Sequence, residues 1–178
     1  AADALNWAER YQGPVILLSD HVLAERAQNI PRPDSGKVVV ERRQVYKGDN
    51  GYLRYEGSTL SPMPLPGGPG SYVANASEHD SIGDTTHLSE RHVEMTERRF
   101  SKLKLLEDGT YEGHHTDAAI AVMPWGATKG PMEDAYEELR QMGCDIAWYY
   151  TMYVHPLPVK LVEELRQKDL VIVPELNY

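Results

Sequence analysis

The stretch AAIAVMPWGATKGPMEDAYEELRQMGCDIAWYYTMYV, residues 118–154, decides the fold. Residues 118–126 are a nearly continuous apolar run, as expected of a strand buried on both faces. Residues 131–143 read as a helix: Pro131 suits the first turn, acidic residues follow, and Gly143 sits just past the end. Met132, Ala135, Leu139 and Met142 recur as its core stripe. Residues 144–154 are the next strand, 157–167 a second helix and 169–177 a third strand. This β-α-β-α-β order predicts right-handed crossovers and an α/β fold, a mainly parallel sheet with helices on both faces.

The flanking segments are less regular. Residues 2–12 read as a helix on Ala4, Leu5, Ala8 and Tyr11, ended by Gly13. PVILLSD (14–20) predicts a strand buried on both faces, and residues 21–29 a short helix capped by Ser19 or Asp20. IPRPDSG (30–36) is a linker. Residues 37–43 and 51–57 read as strands around the turn 47–51, and 71–77 as a short strand. SPMPLPGGPGS (61–71) excludes regular structure, since its prolines lack backbone donors. A long helix is expected from Leu88 to Leu106, with Thr86 or Ser89 near its cap and Val93, Thr96, Phe100 and Leu103 as its buried stripe. Residues 107–113 are a turn.

Charge and composition exclude some functions. Eighteen Lys and Arg against 27 Asp and Glu give a net charge of −9, with no basic block for a phosphate backbone, so nucleic acid is not an expected partner. No apolar run reaches the roughly 18 residues of a membrane span, and no signal-peptide pattern opens the chain. The single cysteine, Cys144, permits no internal disulfide and suits a reducing, cytoplasmic setting.

Residues 71–92 concentrate Glu78, His79, Asp80, Asp84, His87, Glu90 and His92. Zinc hydrolases place two histidines four apart on a helix, whereas His87 and His92 are five apart. His79 with Asp80, and His114 with His115, are adjacent pairs. The blander reading makes Glu78, His79 and Asp80 a hydrogen-bonded turn at a domain or subunit boundary. WGATKGP (125–131) stands between strand and helix but matches no phosphate-loop pattern, so plain turn chemistry is expected. Cys144 is expected as a buried, inert thiol, and residues 147–154, with Trp148, Tyr149, Tyr150 and Tyr153, as packing whose hydroxyls find partners.

Five segments in order carry a resemblance. They are LNWAERYQGPVILLSDHVLAE, PLPGGPGSYVANASEHDSIGD, RHVEMTERRFSKL, AVMPWGATKGPMEDAYEELRQMG and PLPVKLVEELRQKDLVIVPELN. Together they resemble the alpha subunit of 2-oxoacid:ferredoxin oxidoreductases, nearest to the 2-oxoglutarate, KorA-like branch. The resemblance implies that 1–36 is the end of a thiamine-pyrimidine-binding-like domain plus linker, and 37–178 a transketolase C-terminal-like domain. It implies oxidative decarboxylation of a 2-oxoacid to an acyl-CoA with reduction of ferredoxin. Thiamine diphosphate, magnesium and [4Fe-4S] would be held mainly by a beta subunit, with none in this chain. The remainder of the alpha subunit is a further implied partner, with ferredoxin and CoA as substrates. The family's Tyr-Pro-Ile-Thr-like motif is absent here, so no catalytic, cofactor-binding or metal residue is carried over. Glu78, His79 and Asp80 match a family segment. Both ends read as truncated, and activity alone is not expected. Two other readings are a stand-alone interaction module of the transketolase C-terminal type and a small metallohydrolase using Glu78, His79 and Asp80 with His87 or His114.

Overall fold

The computed structural model describes residues 2–19, 21–25, 27–49, 51–75 and 77–176. The chain divides into two compact units, Ala1–Lys102 and Leu103–Tyr178.

The second unit follows the pattern read from residues 118–154. Its strands are β1 (Glu112–His114), β2 (Ile120–Val122), β3 (Ala147–Tyr150) and β4 (Leu170–Ile172), in sheet order β1-β3-β2-β4. β2 pairs in parallel with β3 (Ala121 opposite Ala147) and with β4 (Ala121 opposite Val171). β1 is antiparallel to β3, with Gly113 opposite Tyr149. β1 falls where a turn was expected, because EGH is too short and polar to read as a strand and gains its ladder only from β3.

Strand alternation sends successive side chains to opposite faces. Ala121, Met123, Ala147 and Tyr149 pack with Leu161 and Leu165 of the helix Val159–Leu165. Val122, Ile146 and Trp148 pack with Met132, Tyr136 and Leu139 of the helix Lys129–Gln141. Helices therefore cover both faces, as the sequence pattern predicts. The alanines on the first face let Leu161 sit fully buried against the sheet. On the second face Met132 and Leu139 of the expected stripe pack inward, joined by Tyr136, whereas Met142 is exposed. The helix has already ended at Gln141, and the Gly143 amide (φ 86°) bonds the Arg140 carbonyl. Cys144, just beyond, is exposed rather than buried.

The first unit departs more from expectation. It contains α1 (Ala2–Tyr11), α2 (His21–Glu25) and α3 (Ser89–Ser101), the last passing into a 3₁₀ segment, Lys102–Leu106. Asp20, one expected cap of α2, lies outside the described residues. Residues 37–43 form no strand, because their polar groups are taken by side chains of α1. Buried Asn6 donates to the Val39 carbonyl (2.8 Å) and accepts from the Glu41 amide (2.9 Å). Glu9 receives both ends of the Arg43 guanidinium (2.6 Å each) and its amide, and Arg10 pairs with Glu41. Leu5, expected in the α1 stripe, is exposed. Residues 51–57, 71–75 and 77 are also not strands; two isolated bridges, Val45 to Met63 (parallel) and His79 to Thr85 (antiparallel), are the nearest approach to a sheet among the described residues of this unit.

Residues 14–18 belong to no helix or strand, with Leu17 72% and Leu18 85% exposed. A buried strand needs neighbouring ladders on both sides, and no strand among the described residues of this unit supplies one.

The packing difference between two helix positions is measurable. Leu161→Ala should lower the unfolding free energy by about 2–5 kcal/mol. Met142→Ala should change it by no more than about 0.5 kcal/mol. Urea unfolding followed by tryptophan fluorescence checks both.

Candidate functional site

Glu78, His79 and Asp80 lie in the first unit, in a loop fastened to α3. Asp80 organises the loop itself: Oδ1 accepts from the amides of Ile82 (3.0 Å), Gly83 (3.0 Å) and Asp84 (2.9 Å). Such an Asx arrangement offers local backbone an alternative to a ladder. Gly83 is needed at its tip, with φ 102° and the Val73 carbonyl oxygen only 2.8 Å from where a Cβ would stand. The Glu78 carbonyl closes the loop by accepting from the Thr86 amide (2.9 Å).

Glu78 then fixes the loop to the helix. Its carboxylate receives both Nη atoms of Arg99 at 2.9 Å, and His92 Nδ1 lies 2.9 Å from Oε2. Bidentate guanidinium–carboxylate pairs are the stronger class of charged hydrogen bond. The Arg99 guanidinium holds the Glu78 carboxyl down to about 2 against the opposing effect of burial, and His92 and the His79 amide add to it.

His79 is held from two directions. Its carbonyl accepts from Arg91 Nε (2.9 Å), and its ring stacks on Tyr55, centroids 4.5 Å apart at 16°. Arg91 Nη2 also donates to the Tyr55 carbonyl (2.8 Å), so loop, helix and the 51–57 segment share one guanidinium. The Nδ1 atom of His79 is buried and has no hydrogen-bond partner among the described residues.

The helix face that does this is not the predicted one. Val93 and Phe100 are exposed, Phe100 by 66%. The inward residues are Arg91, Met95, Arg98 and Lys102, at steps of four, three and four. Arg98 donates to the carbonyls of Gly57 (3.0 Å) and Arg54 (3.3 Å), and Lys102 Nζ donates to the Gln12 carbonyl (2.8 Å). Buried backbone carbonyls demand donors, which is why a cationic face wins over an apolar one. The spacing was legible as a second stripe; the partners that select it were not.

The remaining candidates do not converge. His87 is exposed, and among the described residues no three His, Cys, Asp or Glu side chains are placed to hold a metal. His114 and His115 lie at β1 in the second unit, the His115 ring 6.4 Å from that of Tyr136. In residues 125–131, Thr128 Oγ1 donates to the Trp125 carbonyl (2.7 Å) and accepts from its amide (3.2 Å). This is turn chemistry, as expected. In the aromatic strand Tyr149 donates to Glu164 Oε2 (2.9 Å), and Tyr111 donates to Oε1 (2.5 Å). Burial, and then the Glu164 carboxylate, raise the Tyr149 hydroxyl well above the usual phenol range.

No protein-family model matches the chain. It is 30% identical, over all of its length, to the alpha subunit of 2-oxoacid:ferredoxin oxidoreductase 1 from Aeropyrum pernix. It is 24% identical, over 98% of its length, to the 2-oxoglutarate synthase subunit KorA of Methanocaldococcus jannaschii. The chain spans 30% of the first relative and 48% of the second. A solved 2-oxoglutarate:ferredoxin oxidoreductase from Magnetococcus marinus, with 2-oxoglutarate, coenzyme A and succinyl-CoA bound, matches 99% of the chain and 32% of its own. That match has a TM-score of 0.86 and 33% identity. Over its full length, then, the chain is a homologue of 2-oxoacid:ferredoxin oxidoreductase alpha subunits. A [4Fe–4S] cluster takes four thiolates, and with one cysteine the residues of this chain do not fit it.

The Glu78–Arg99 pair has a pH signature. A carboxyl depressed to about 2 contributes stability that is complete above about 4.5 and disappears as pH falls towards 2. Wild type should therefore melt above Glu78→Gln at pH 7, and the gap should close across that window. Thermal unfolding of both proteins at a series of pH values checks the sign.

Proposed function

We propose that this chain is the C-terminal part of the alpha subunit of a thiamine diphosphate-dependent 2-oxoacid:ferredoxin oxidoreductase. The enzyme oxidatively decarboxylates a 2-oxoacid, 2-oxoglutarate above all, to its acyl-CoA. The electron pair leaves through [4Fe-4S] to ferredoxin. The thiamine diphosphate, its magnesium and the cluster belong mainly to a beta subunit, and the setting is the cytoplasm. Residues 1–36 end a pyrimidine-binding-like domain, and 37–178 form a transketolase C-terminal-like domain. The observation that carries this reading is the match of the whole chain, in sequence and in three dimensions, to about a third of the alpha subunits.

The chain's own role is to assemble the enzyme. Its apolar surface supports that role. Ile16, Leu17 and Leu18 form a contiguous exposed run with the pattern of a sheet-interior strand, and α3 turns Val93 and Phe100 outwards. Apolar surface of this kind marks protein contacts. The relatives' additional length provides an occupant, since an extended run of this type is completed by strands on either side.

The test is native mass spectrometry of the complex captured on a tagged, full 178-residue chain. A chain with clustered cysteines and the rest of the alpha subunit should be present, and the complex should reduce ferredoxin only with 2-oxoglutarate and CoA. A chain that runs alone overturns the reading. Leu17→Asp should abolish capture while changing the chain's own unfolding free energy by no more than about 0.5 kcal/mol.

A further inference from the structure

A cavity of about 210 Å³ lies in the first unit beside α3. Its walls include Arg54, Arg98, Arg99, Lys102 and His79, and among the described residues no aspartate or glutamate lines it. Arg99 is neutralised by Glu78. Arg54, Arg98 and Lys102 have no carboxylate within ion-pair distance among the described residues. Arg54 is only 8% exposed. The three charges also feel one another. Burial first, then Arg54 and Arg91, lower the pKa of Arg98; burial first, then Arg54 and Arg98, lower that of Lys102. Like charges taken out of water without a counter-ion are costly.

A purely structural account makes these side chains staples for loop carbonyls. It explains part of the arrangement. Arg54 donates to Ser61 Oγ (2.7 Å), Arg98 to two carbonyls and Lys102 to one. A guanidinium carries five N–H donors and an ammonium three, so most of the donor capacity is left over. Staples do not need charge either, and neutral donors would hold the same carbonyls without mutual repulsion. The staple account also leaves the buried Nδ1 of His79 without a partner on the same wall.

We propose that this cavity binds a small dissolved oxyanion, a phosphate or a carboxylate, through Arg54, Arg98, Lys102 and His79 Nδ1. The space is several times the roughly 30 Å³ share of one water, so such an ion fits with part of its hydration. The proposal stands apart from the assembly reading, because every residue in it belongs to one unit of this chain.

Isothermal titration of the full chain with inorganic phosphate, and separately with succinate, tests it. Saturable one-site binding of at least one of them is expected, and which one binds distinguishes a phosphate from a carboxylate ligand. Lys102→Met should weaken that binding about tenfold, the worth of one charge-assisted hydrogen bond. Lys104→Met, at an exposed lysine outside the cavity, should leave it unchanged. The His79 Nδ1 nitrogen resonance should move with the same titration curve in the unmutated protein, a readout that needs no variant to fold. The proposal is overturned if neither ion saturates, if both lysine variants weaken binding equally, or if the His79 resonance stays still.

Discussion

The parallel pairing of β2 with β3 is the constraint on which the unit from residue 103 depends. Ala121 opposite Ala147 and Val122 opposite Trp148 set the register. A slip of one residue would exchange the two faces of β3. Trp148 would leave Tyr136, Tyr149 would leave Leu161, and the Tyr149 hydroxyl would lose Glu164. Both helices are thereby placed by one pairing, and β4 and β1 add to an arrangement already determined.

The unit before it is built by different physics. Met95 is its one buried apolar side chain among the described residues. Its irregular segments are held by side chains reaching backbone: Asn6 to 39 and 41, Gln12 to 61, Arg91 to 55 and 79, Arg98 to 54 and 57. Each such bond contributes on the order of 1 kcal/mol net, yet a buried group left unmade costs more, so the set specifies a path more than it supplies stability. Glu78 adds a side-chain pairing to this set, taking Arg99 and His92 at once.

That difference explains what could be read from sequence. Residues 118–172 were legible because their signals are local: an apolar run, a Pro131-to-Gly143 helix, another run. The order of elements, the parallel pairings and the two helical faces followed. The 14–18 and 37–43 runs carried equally clear strand patterns and gave no strand. A strand pattern states only that a segment can be buried in a sheet; the sheet must come from elsewhere. For 37–43 the competing partners, Asn6 and Glu9, are more than thirty residues away. For the SEHD loop, the turn was readable from Asp80 and Gly83, but Arg99 and Tyr55 were not. The cationic cavity was least readable of all, since Arg54 and Lys102 meet only through folding.

The two departures from a self-sufficient fold point in the same direction. An exposed apolar run and a set of part-buried cations with no ion-paired carboxylate among the described residues each leave a free-energy cost inside the chain. For the apolar run, every 100 Å² later covered is worth on the order of 2.5 kcal/mol. For the cations, a bound oxyanion exchanges mutual repulsion for charge-assisted hydrogen bonds in a poorly hydrated site, where both effects are amplified. The inward side of α3 sets Arg91, Arg98 and Lys102 around buried Met95, while Val93 and Phe100 stand outward among charged residues. A helix of that kind is consistent with a segment whose inner face organises loops around an ion and whose outer face meets another protein surface. On the proposed reading, inward cations and outward apolar side chains on one helix answer two requirements at once, an ion for the first and a protein surface for the second.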